Sequence, residues 1–382
     1  MRSALRCTLF WLPLALLFGP PALALWLGGE LISADEIVER QLVDRPLILN
    51  APAYTNSAMY VKMRMIARKQ PEVLALGTSR VMQFRAGFFL PETRFYNAGG
   101  SVARLMHLRA VLDHIPKTSQ PQVLLVALDP YFFNSGFDKL ERDIFNVAWL
   151  EDQMTQRPSG AEVFAQNWWT VWRDIAASKI DWPKLASLRG LHDRLGINSV
   201  MNDTGFRNDG SRRYGGTDLN IADPHHRDSN FTGSLKQIAA GRGRFVYGRD
   251  IPPAALREVE ALLDTCATRG IEVVAFLPPY PHEVWAKMKS MGDKYAYLEK
   301  LMPALRPLFD RHDFELYDFS DFAQLGAPDS EAIDGFHGSE RTYLRLLIAM
   351  LEQGSRLNRY ADLPKLREML AAAKSHVDLV PE

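Results

Sequence analysis

The chain has 382 residues, and 47% of them are hydrophobic, so it can bury a substantial core and is not disordered as a whole. Lysine plus arginine and aspartate plus glutamate both total 45, which excludes a net charge that would attract nucleic acid. With only Cys7 and Cys266, the chain cannot build a disulfide framework or a cysteine-rich metal site.

The N-terminal segment is apolar. Cys7 to Gly28 contains no charged side chain, and at ~1.5 Å per residue it is long enough for the ~30 Å hydrocarbon layer of a membrane. Arg2 and Arg6 precede this segment and Glu30 follows it, so the positive-inside rule predicts a single-pass protein of the bacterial inner membrane whose main domain faces the periplasm. Ala22-Leu23-Ala24 has the small-x-small form of a signal-peptidase site, so a cleaved signal segment is the alternative to a retained anchor.

Further along the chain, short β-rich runs alternate with segments of helical spacing. This alternation predicts βαβ units and an α/β fold with a parallel sheet. The strands are nearly continuous apolar runs, which is typical of a sheet covered by helices on both faces. The predicted strands are Glu72 to Leu76, Arg94 to Tyr96, Gln122 to Leu128, Ile271 to Leu277 and Phe314 to Phe319.

The domain organisation follows from where this alternation holds. Residues 1–30 are the predicted anchor or signal segment, and a helical connection leads from 31 to 70. The main domain covers 71–360 and is interrupted at about 135–250 by a segment rich in Gly, Asn, Asp, Arg and Trp, which we interpret as an insertion. Residues 361–382 are predicted to form a C-terminal helical tail.

A candidate nucleophile follows the first strand of the main domain. The segment Gly77-Thr78-Ser79-Arg80 places Ser79 at the carboxyl edge of the predicted sheet, where open α/β folds bind ligands. A helix beginning there would direct backbone N–H groups toward the Ser79 hydroxyl and toward an oxyanion formed beside it. Because serine is also a common N-cap of helices, a capping role for Ser79 is the alternative.

A second candidate group lies near the C-terminus. In Asp334-Gly335-Phe336-His337, just before an amphipathic helix, the carboxylate is three residues from the imidazole. At this spacing Asp334 can fix the tautomer of His337 while the other ring nitrogen faces a nucleophile. The alternative is that Asp334 forms a turn and His337 lies on the surface.

Taken together, these segments resemble the SGNH, or GDSL-like, hydrolases over about residues 70–135 and 265–355. The resemblance implies a three-layer α/β/α, flavodoxin-like domain with Ser79, Asp334 and His337 as the catalytic triad. Tyr96-Asn97-Ala98-Gly99-Gly100 is similar to the second sequence block of that family. It implies that Gly99 or Gly100 donates a backbone N–H to the oxyanion, together with Ser79.

The chain departs from the family at the third block, Gly-x-Asn-Asp. The corresponding positions run from Ala127 to Asn134, and Asn134 is the candidate for a further oxyanion donor. The alternative for Asp129 and Asn134 is ordinary turn formation with Pro130. After the next core strand, Pro278-Pro279-Tyr280-Pro281-His282 either shapes the pocket or forms a rigid turn.

The first block also departs from the family, since it is Gly-Thr-Ser-Arg and not Gly-Asp-Ser-Leu. This variant resembles the membrane-associated branch that includes alginate O-acetylation proteins and the D-alanyl-transfer protein of teichoic acid synthesis. The resemblance implies acyl transfer on an envelope glycan, with a membrane-bound O-acyltransferase as a partner. We therefore expect a periplasmic serine acyltransferase or acetylesterase that forms an acyl-serine and needs no metal or other cofactor.

Two alternatives remain at the level of sequence. The chain could be a plain periplasmic esterase of the GDSL-like type. It could also be a catalytically inactive scaffold or binding protein of a polysaccharide assembly system, a hypothesis motivated by the missing Gly-x-Asn-Asp block. The sequence contains no phosphate-binding loop, so it offers no support for nucleotide binding.

Overall fold

The computed structural model describes the backbone of residues 2–139 and 144–380, and the side chains of residues 11–139, 147–216 and 219–380. These residues form two compact units. Unit 1 contains residues 1–61, 153–208 and 213–216. Unit 2 contains residues 62–152, 209–212 and 217–382.

Helices make up 54% of the structure. In chain order the α-helices are α1 Arg2–Leu27, α2 Ala34–Gln41, α3 Ala58–Lys69, α4 Leu105–His114, α5 Ile144–Thr155, α6 Gly160–Ala176, α7 Trp182–Ala186, α8 Ile197–Asn202, α9 Thr232–Ala240, α10 Pro253–Thr268, α11 His282–Ser290, α12 Tyr297–Asp310, α13 Glu340–Glu352 and α14 Leu363–Ala372.

The strands form two sheets. In chain order they are β1 Leu49–Asn50, β2 Val73–Gly77, β3 Phe95–Gly99, β4 Val123–Ala127, β5 Arg194–Leu195, β6 Gly205–Phe206, β7 Arg212–Arg213, β8 Glu272–Leu277 and β9 Glu315–Asp318. The larger sheet has the order β3-β2-β4-β8-β9, and every neighbouring pair in it is parallel. The smaller sheet consists of the two-residue strands, in the order β5-β1-β6-β7.

The parallel sheet of unit 2 confirms the predicted α/β class and each of the five predicted strands. Strands β2, β3 and β4 are buried at every position, because apolar side chains point toward both faces of the sheet. Strand β9 lies at one edge and is partly exposed. The sheet therefore brings the residues after β2, β4 and β8 to the same carboxyl edge.

The order of the strands creates a topological switch point at this edge, between β2 and β4. From β2 the chain goes first to the neighbour on one side, β3, and then to the neighbour on the other side, β4. The connections that leave β2 and β4 thus diverge, and such a switch point opens a crevice at the carboxyl ends of the two strands. Ser79 follows β2, and Asp129 follows β4.

In unit 1, the last turns of α1 belong to a hydrophobic core. Ala24 and Leu25 are fully buried, and they pack in one cluster with Val171 of α6, Leu185 of α7 and Val200 of α8. Several large apolar side chains earlier in α1 are exposed, among them Trp11, Leu12, Leu14, Leu16 and Leu17.

No helix among the described residues combines the length and the apolar character needed to cross a bilayer. The transmembrane helix predicted over residues 7–28 therefore gains no support, and part of that segment contributes to the unit 1 core instead.

Glu30 connects the end of α1 to two other segments of unit 1. Its side chain is buried, and Oε1 accepts the backbone N–H groups of Ala53 and Ile197 at 2.7 Å. Oε2 accepts the N–H of Tyr54 at 3.3 Å. Burial raises the pKa of Glu30, and these hydrogen bonds act in the opposite direction.

The segment interpreted as an insertion is divided between the units. Residues 153–208 and 213–216 belong to unit 1, whereas 217–250 belongs to unit 2 with the parallel sheet. Strands β6 and β7 flank Asn208-Asp209-Gly210, where the sequence indicates a turn.

Candidate active site

Ser79 begins a single turn of 3₁₀ helix, Ser79–Val81, directly after β2. The Thr78 side chain caps this turn by accepting the N–H of Arg80 at 3.1 Å, and the Thr78 carbonyl accepts the N–H of Val81. The helix that the sequence predicts after β2 is limited to this one turn. Its N–H groups at Arg80 and Val81 donate to Thr78, so they do not point at the serine as predicted.

His337 lies on a short loop between the turn Asp329–Glu331 and α13. The loop is closed at its base, where the N–H of Ile333 donates to the carbonyl of His337 at 2.8 Å and Ala332 forms a bridge with Gly338. Ser339 then caps α13 by accepting the N–H of Thr342. The loop is therefore anchored on both sides of the imidazole.

The three predicted catalytic side chains lie in one hydrogen-bonded chain. Ser79 Oγ is 2.7 Å from His337 Nε2, and His337 Nδ1 is 2.9 Å from both carboxylate oxygens of Asp334. Because an ionised carboxylate can only accept, the hydrogen-bond network assigns the ring proton to Nδ1. Nε2 is then free to accept the proton of the Ser79 hydroxyl.

Asp334 is buried and yet ionised. Burial alone would raise its pKa, but the neighbouring His337 ring, Arg227 and the N–H of Phe336 together outweigh this effect. The net result is a pKa well below the ordinary value for an aspartate. Arg227 Nη2 donates to Asp334 Oδ2 at 2.7 Å, and the N–H groups of Phe336 and His337 both donate to Oδ1 at 2.8 Å.

Residues of the 217–250 segment hold the histidine loop from the other side. Asp228 Oδ2 accepts the N–H of Gly335 at 2.9 Å and the hydroxyl of Ser234 at 2.6 Å. Gly335 packs so closely here that a Cβ added to it would lie 2.4 Å from Ser234 Oγ. Only glycine fits this position without displacing the loop or the first turn of α9.

The glycines predicted to form the oxyanion hole do not fit that role. The N–H of Gly99 donates to Asn97 Oδ1 at 2.8 Å, and the N–H of Gly100 donates to the carbonyls of Gly77 and Thr78 at 3.0 Å. Since both N–H groups are already used inside the fold, neither is directed at a substrate.

The side-chain amide of Asn134 is also hydrogen-bonded within the fold. Its Nδ2 donates to the carbonyl of Val246 at 2.7 Å, its Oδ1 accepts the N–H of Gly136 at 2.9 Å, and its amide lies beside the Tyr297 hydroxyl. Asn134 is a turn-forming residue and not an oxyanion donor. Within the described turn, the N–H of Ser79 is the backbone donor for which the structure gives no acceptor.

A cavity of about 510 Å³ opens beside the imidazole. Aromatic rings, two arginines and the edge of the histidine loop form its wall. The lining residues are Phe137, Arg227, Asp228, Gly233, Ser234, Gln237, Gly243, Arg244, Phe245, Asp334, Phe336 and His337. Most of this wall comes from the 217–250 segment, which the sequence motifs did not describe.

The sequence interpretation missed a buried ion pair directly beside the nucleophile. Arg80 Nη1 is 3.2 Å from Asp129 Oδ1, and both side chains are fully buried. Burial raises the pKa of Asp129, whereas Arg80 and the hydroxyl of Thr78 lower it. Asp129 does begin a turn, since its carbonyl accepts the N–H of Phe132 at 2.9 Å, but its side chain does not cap that turn and pairs with Arg80. Its position after a core strand was the available signal, because that position places it at the switch point.

The Pro278 to His282 turn contributes to the same network. Tyr280 is buried, and its ring lies 3.9 Å from the Arg80 guanidinium. His282 is exposed and pairs with Asp321 at 3.0 Å. Of the two residues considered for the pocket, Tyr280 therefore contacts the Arg80 side chain next to the nucleophile, and His282 lies on the surface.

Among the described residues, no group of three or more histidine, cysteine, aspartate or glutamate side chains is arranged to hold a metal ion. A scan against protein-family models and a search of the curated proteins found no match to this chain.

Proposed function

We propose that the chain is a serine acyltransferase or acetylesterase that works through an acyl-serine. The observation that carries the proposal is the contact of 2.7 Å between Ser79 Oγ and His337 Nε2, with Asp334 held 2.9 Å behind the ring. A serine, an imidazole and a carboxylate in this order are the arrangement that activates a hydroxyl as a nucleophile. The adjoining cavity supplies room for an ester.

In this mechanism Ser79 Oγ attacks the carbonyl carbon of an ester while His337 Nε2 takes the hydroxyl proton. Asp334 stabilises the imidazolium, and the N–H of Ser79 binds the developing oxyanion. The tetrahedral intermediate collapses, and His337 gives its proton to the departing alcohol. Water or a sugar hydroxyl then attacks the acyl-serine and gives its proton to His337. As the bond between the acyl carbon and Ser79 Oγ breaks, His337 returns this proton to Ser79 Oγ.

We also propose the finer features of fold and location. The five-stranded order corresponds to 2-1-3-4-5 counted along the chain, which is the order of flavodoxin-like doubly wound sheets and supports the three-layer SGNH-type architecture. A periplasmic location is supported by the apolar segment 7–28 and the charges that flank it. An acylated glycan as substrate and a membrane-bound O-acyltransferase as partner are supported by the sequence resemblance.

A catalytically inactive scaffold is the second candidate, and one observation favours it. The N–H groups of Gly99 and Gly100 are engaged within the fold, so the oxyanion hole lacks the second backbone donor that the resemblance implies. Losing one such donor costs about 100- to 1000-fold in rate. The acyl-serine proposal therefore predicts a slow esterase, and the scaffold proposal predicts no turnover.

The experiment is hydrolysis of p-nitrophenyl acetate by the purified full chain, with labelling of the serine by a fluorophosphonate. We expect slow release of p-nitrophenol and one labelled residue, Ser79. In Ser79→Ala both signals should disappear. The matched control is Ser290→Ala, an exposed serine at the end of α11, which should behave like the wild type.

Turnover that persists in Ser79→Ala would reject this site, and the absence of both turnover and labelling in the wild type would favour the scaffold. To separate transfer from hydrolysis, a soluble oligosaccharide is added during turnover. Acylated sugar detected by mass spectrometry would indicate transfer, whereas acetate alone would indicate a plain esterase.

A further inference from the structure

We infer that Arg80 and Asp129 are positioning residues, which together hold Ser79 and His337 at reacting distance. This inference rests on the proposed function, because it concerns the geometry of that same site. Four kinds of observation carry it: the bonds on both sides of Ser79, the stacking on the histidine loop, the carbonyls at the end of β8, and the burial of the pair.

The first observation is that Asp129 holds both neighbours of the nucleophile. Thr78 Oγ1 donates to Asp129 Oδ2 at 2.7 Å, and Arg80 Nη1 donates to Asp129 Oδ1 at 3.2 Å. The same Thr78 oxygen accepts the backbone N–H of Arg80 at 3.1 Å. Ser79 is therefore enclosed in a small ring of hydrogen bonds that fixes the direction in which its side chain leaves the backbone.

The second observation is that the Arg80 guanidinium reaches the histidine loop. It lies 4.6 Å from the ring of Phe336, the residue before His337, and the Phe336 and His337 rings are 5.1 Å apart at 84°. A planar guanidinium stacks well on an aromatic ring. One side chain thus contacts the two segments that must meet for proton transfer.

The third observation concerns the end of β8. Arg80 Nη2 donates to the carbonyls of Pro278 and Pro279 at 2.9 and 2.8 Å, and the guanidinium stacks on Tyr280. Two proline residues in succession make this turn stiff. Arg80 is consequently fixed against the sheet, so it can serve as a rigid support for the histidine loop.

The fourth observation is that Arg80 and Asp129 are buried at a cost in desolvation free energy that apolar residues in the same space would not have. Both side chains are completely buried, and Arg80 Nε has no hydrogen-bond partner among the described residues. A buried ion pair is often no more stabilising than apolar residues of the same volume. What Arg80 provides, and an apolar residue does not, is a planar group with several donors in fixed directions.

The test uses the full chain and p-nitrophenyl acetate, with kcat and KM measured separately. Arg80→Lys keeps the charge but loses the planar fork, so it cannot bind Asp129 and both proline carbonyls in the same way. We expect kcat to fall about 10- to 100-fold, since small displacements of reacting groups have effects of this size, with little change in KM. The rate at which a fluorophosphonate labels Ser79 should fall in parallel.

A second variant guards against misfolding. Thr78→Val keeps the shape of the side chain and removes only the hydroxyl that joins Asp129 to the backbone of Arg80. We expect a smaller fall in kcat, about 3- to 10-fold. The control for general destabilisation is Leu263→Ala, a buried position of α10 outside both catalytic segments, assayed at a temperature where every variant is folded.

The outcomes decide the inference in each case. If Arg80→Lys and Thr78→Val both retain the wild-type kcat, or if Leu263→Ala loses as much as they do, the pair has only a structural role. If the wild type neither hydrolyses the ester nor labels, the proposed function fails, and a crystal structure of Arg80→Lys still tests the positioning. There we expect the Ser79 Oγ to His337 Nε2 distance to lengthen from 2.7 Å beyond hydrogen-bonding range.

Discussion

The two halves of the candidate site are held in different ways. Ser79 follows β2, an inner strand of the parallel sheet, and its neighbours Thr78 and Arg80 are hydrogen-bonded to the fully buried Asp129. Asp334 and His337 lie on a loop outside the sheet. Apart from the contact between Phe336 and Arg80, this loop is held by Asp228 and by Arg227, which is 53% exposed. The nucleophile is thus fixed by the core, whereas Asp334 and His337 depend more on the less regular segment 217–250.

The difference suggests how the two halves respond to change. Substitutions around Ser79 disturb buried groups that have no room to adjust, so they affect folding and rate together. Substitutions around His337 change the position or tautomer of one ring and should affect rate more than stability.

The largest effect is expected for Asp334→Asn. An asparagine amide would donate to His337 Nδ1, which leaves the ring proton on Nε2, where it can no longer accept from Ser79. We expect kcat/KM for p-nitrophenyl acetate to fall about 10,000-fold, as happens in other triads. The matched control is Asp329→Asn, an aspartate on the preceding turn, and an equal loss there would mean that the loop has simply collapsed.

The next effect is expected for Gly335→Ala. The new Cβ would lie 2.4 Å from Ser234 Oγ and 2.5 Å from Ser234 Cβ, so the loop must move away from α9. We expect kcat to fall about 10- to 100-fold while the melting temperature changes little. Gly19→Ala makes the same substitution in open space and should leave kcat unchanged. A Gly335→Ala enzyme of full activity would show that the loop adapts freely.

Stability should respond to acid through Asp334. Because its pKa is depressed in the folded state, its contribution is fully present above the pKa of an unfolded aspartate and is lost as the pH falls through the folded-state pKa. Between about pH 5 and pH 2 the wild type should lose on the order of 2 kcal/mol more free energy of unfolding than Asp334→Asn. Urea denaturation at each pH measures this, and parallel curves for the two proteins would contradict it.

The smallest effect is expected for Arg227→Gln. Although Arg227 donates to the catalytic carboxylate, its side chain is half exposed, and water and salt screen the interaction. Asp334 also keeps the N–H groups of Phe336 and His337. We expect kcat to fall by less than about threefold, with even less effect at high salt. A loss comparable to that of Asp334→Asn would mean that Arg227 contacts the substrate.

The sheet could be predicted because its strands are short, apolar and bounded by turn residues. Val73 to Leu76 and Val123 to Ala127 carry this pattern without interruption, so they appear at almost the same positions in the structure. The triad residues could be predicted from their places relative to these strands. The hydrogen bonds between them depend on the fold, which the pattern of a single segment does not specify.

Other features could not be predicted, for physical reasons. A buried arginine has the same appearance in a sequence as an exposed one, and Asp129, the partner of Arg80, is 49 residues away. The N–H of Gly99 donates to the Asn97 side chain, and the N–H of Gly100 donates to carbonyls at the end of β2, and a sequence motif reveals neither contact. Most of the cavity wall comes from 217–250, where the sequence shows no periodic pattern from which the backbone could be predicted.

Glu30 has a practical consequence for anyone who shortens this protein at its N-terminus. Processing after Ala24 would remove Ala24 from the unit 1 core and leave Leu25 and Leu27 in place. A truncation that starts beyond residue 30 would leave the amides of Ala53, Tyr54 and Ile197 without their shared acceptor. Such orphaned donors are costly when they remain buried. The last turn of α1 and the residues just after it are therefore part of the unit 1 fold.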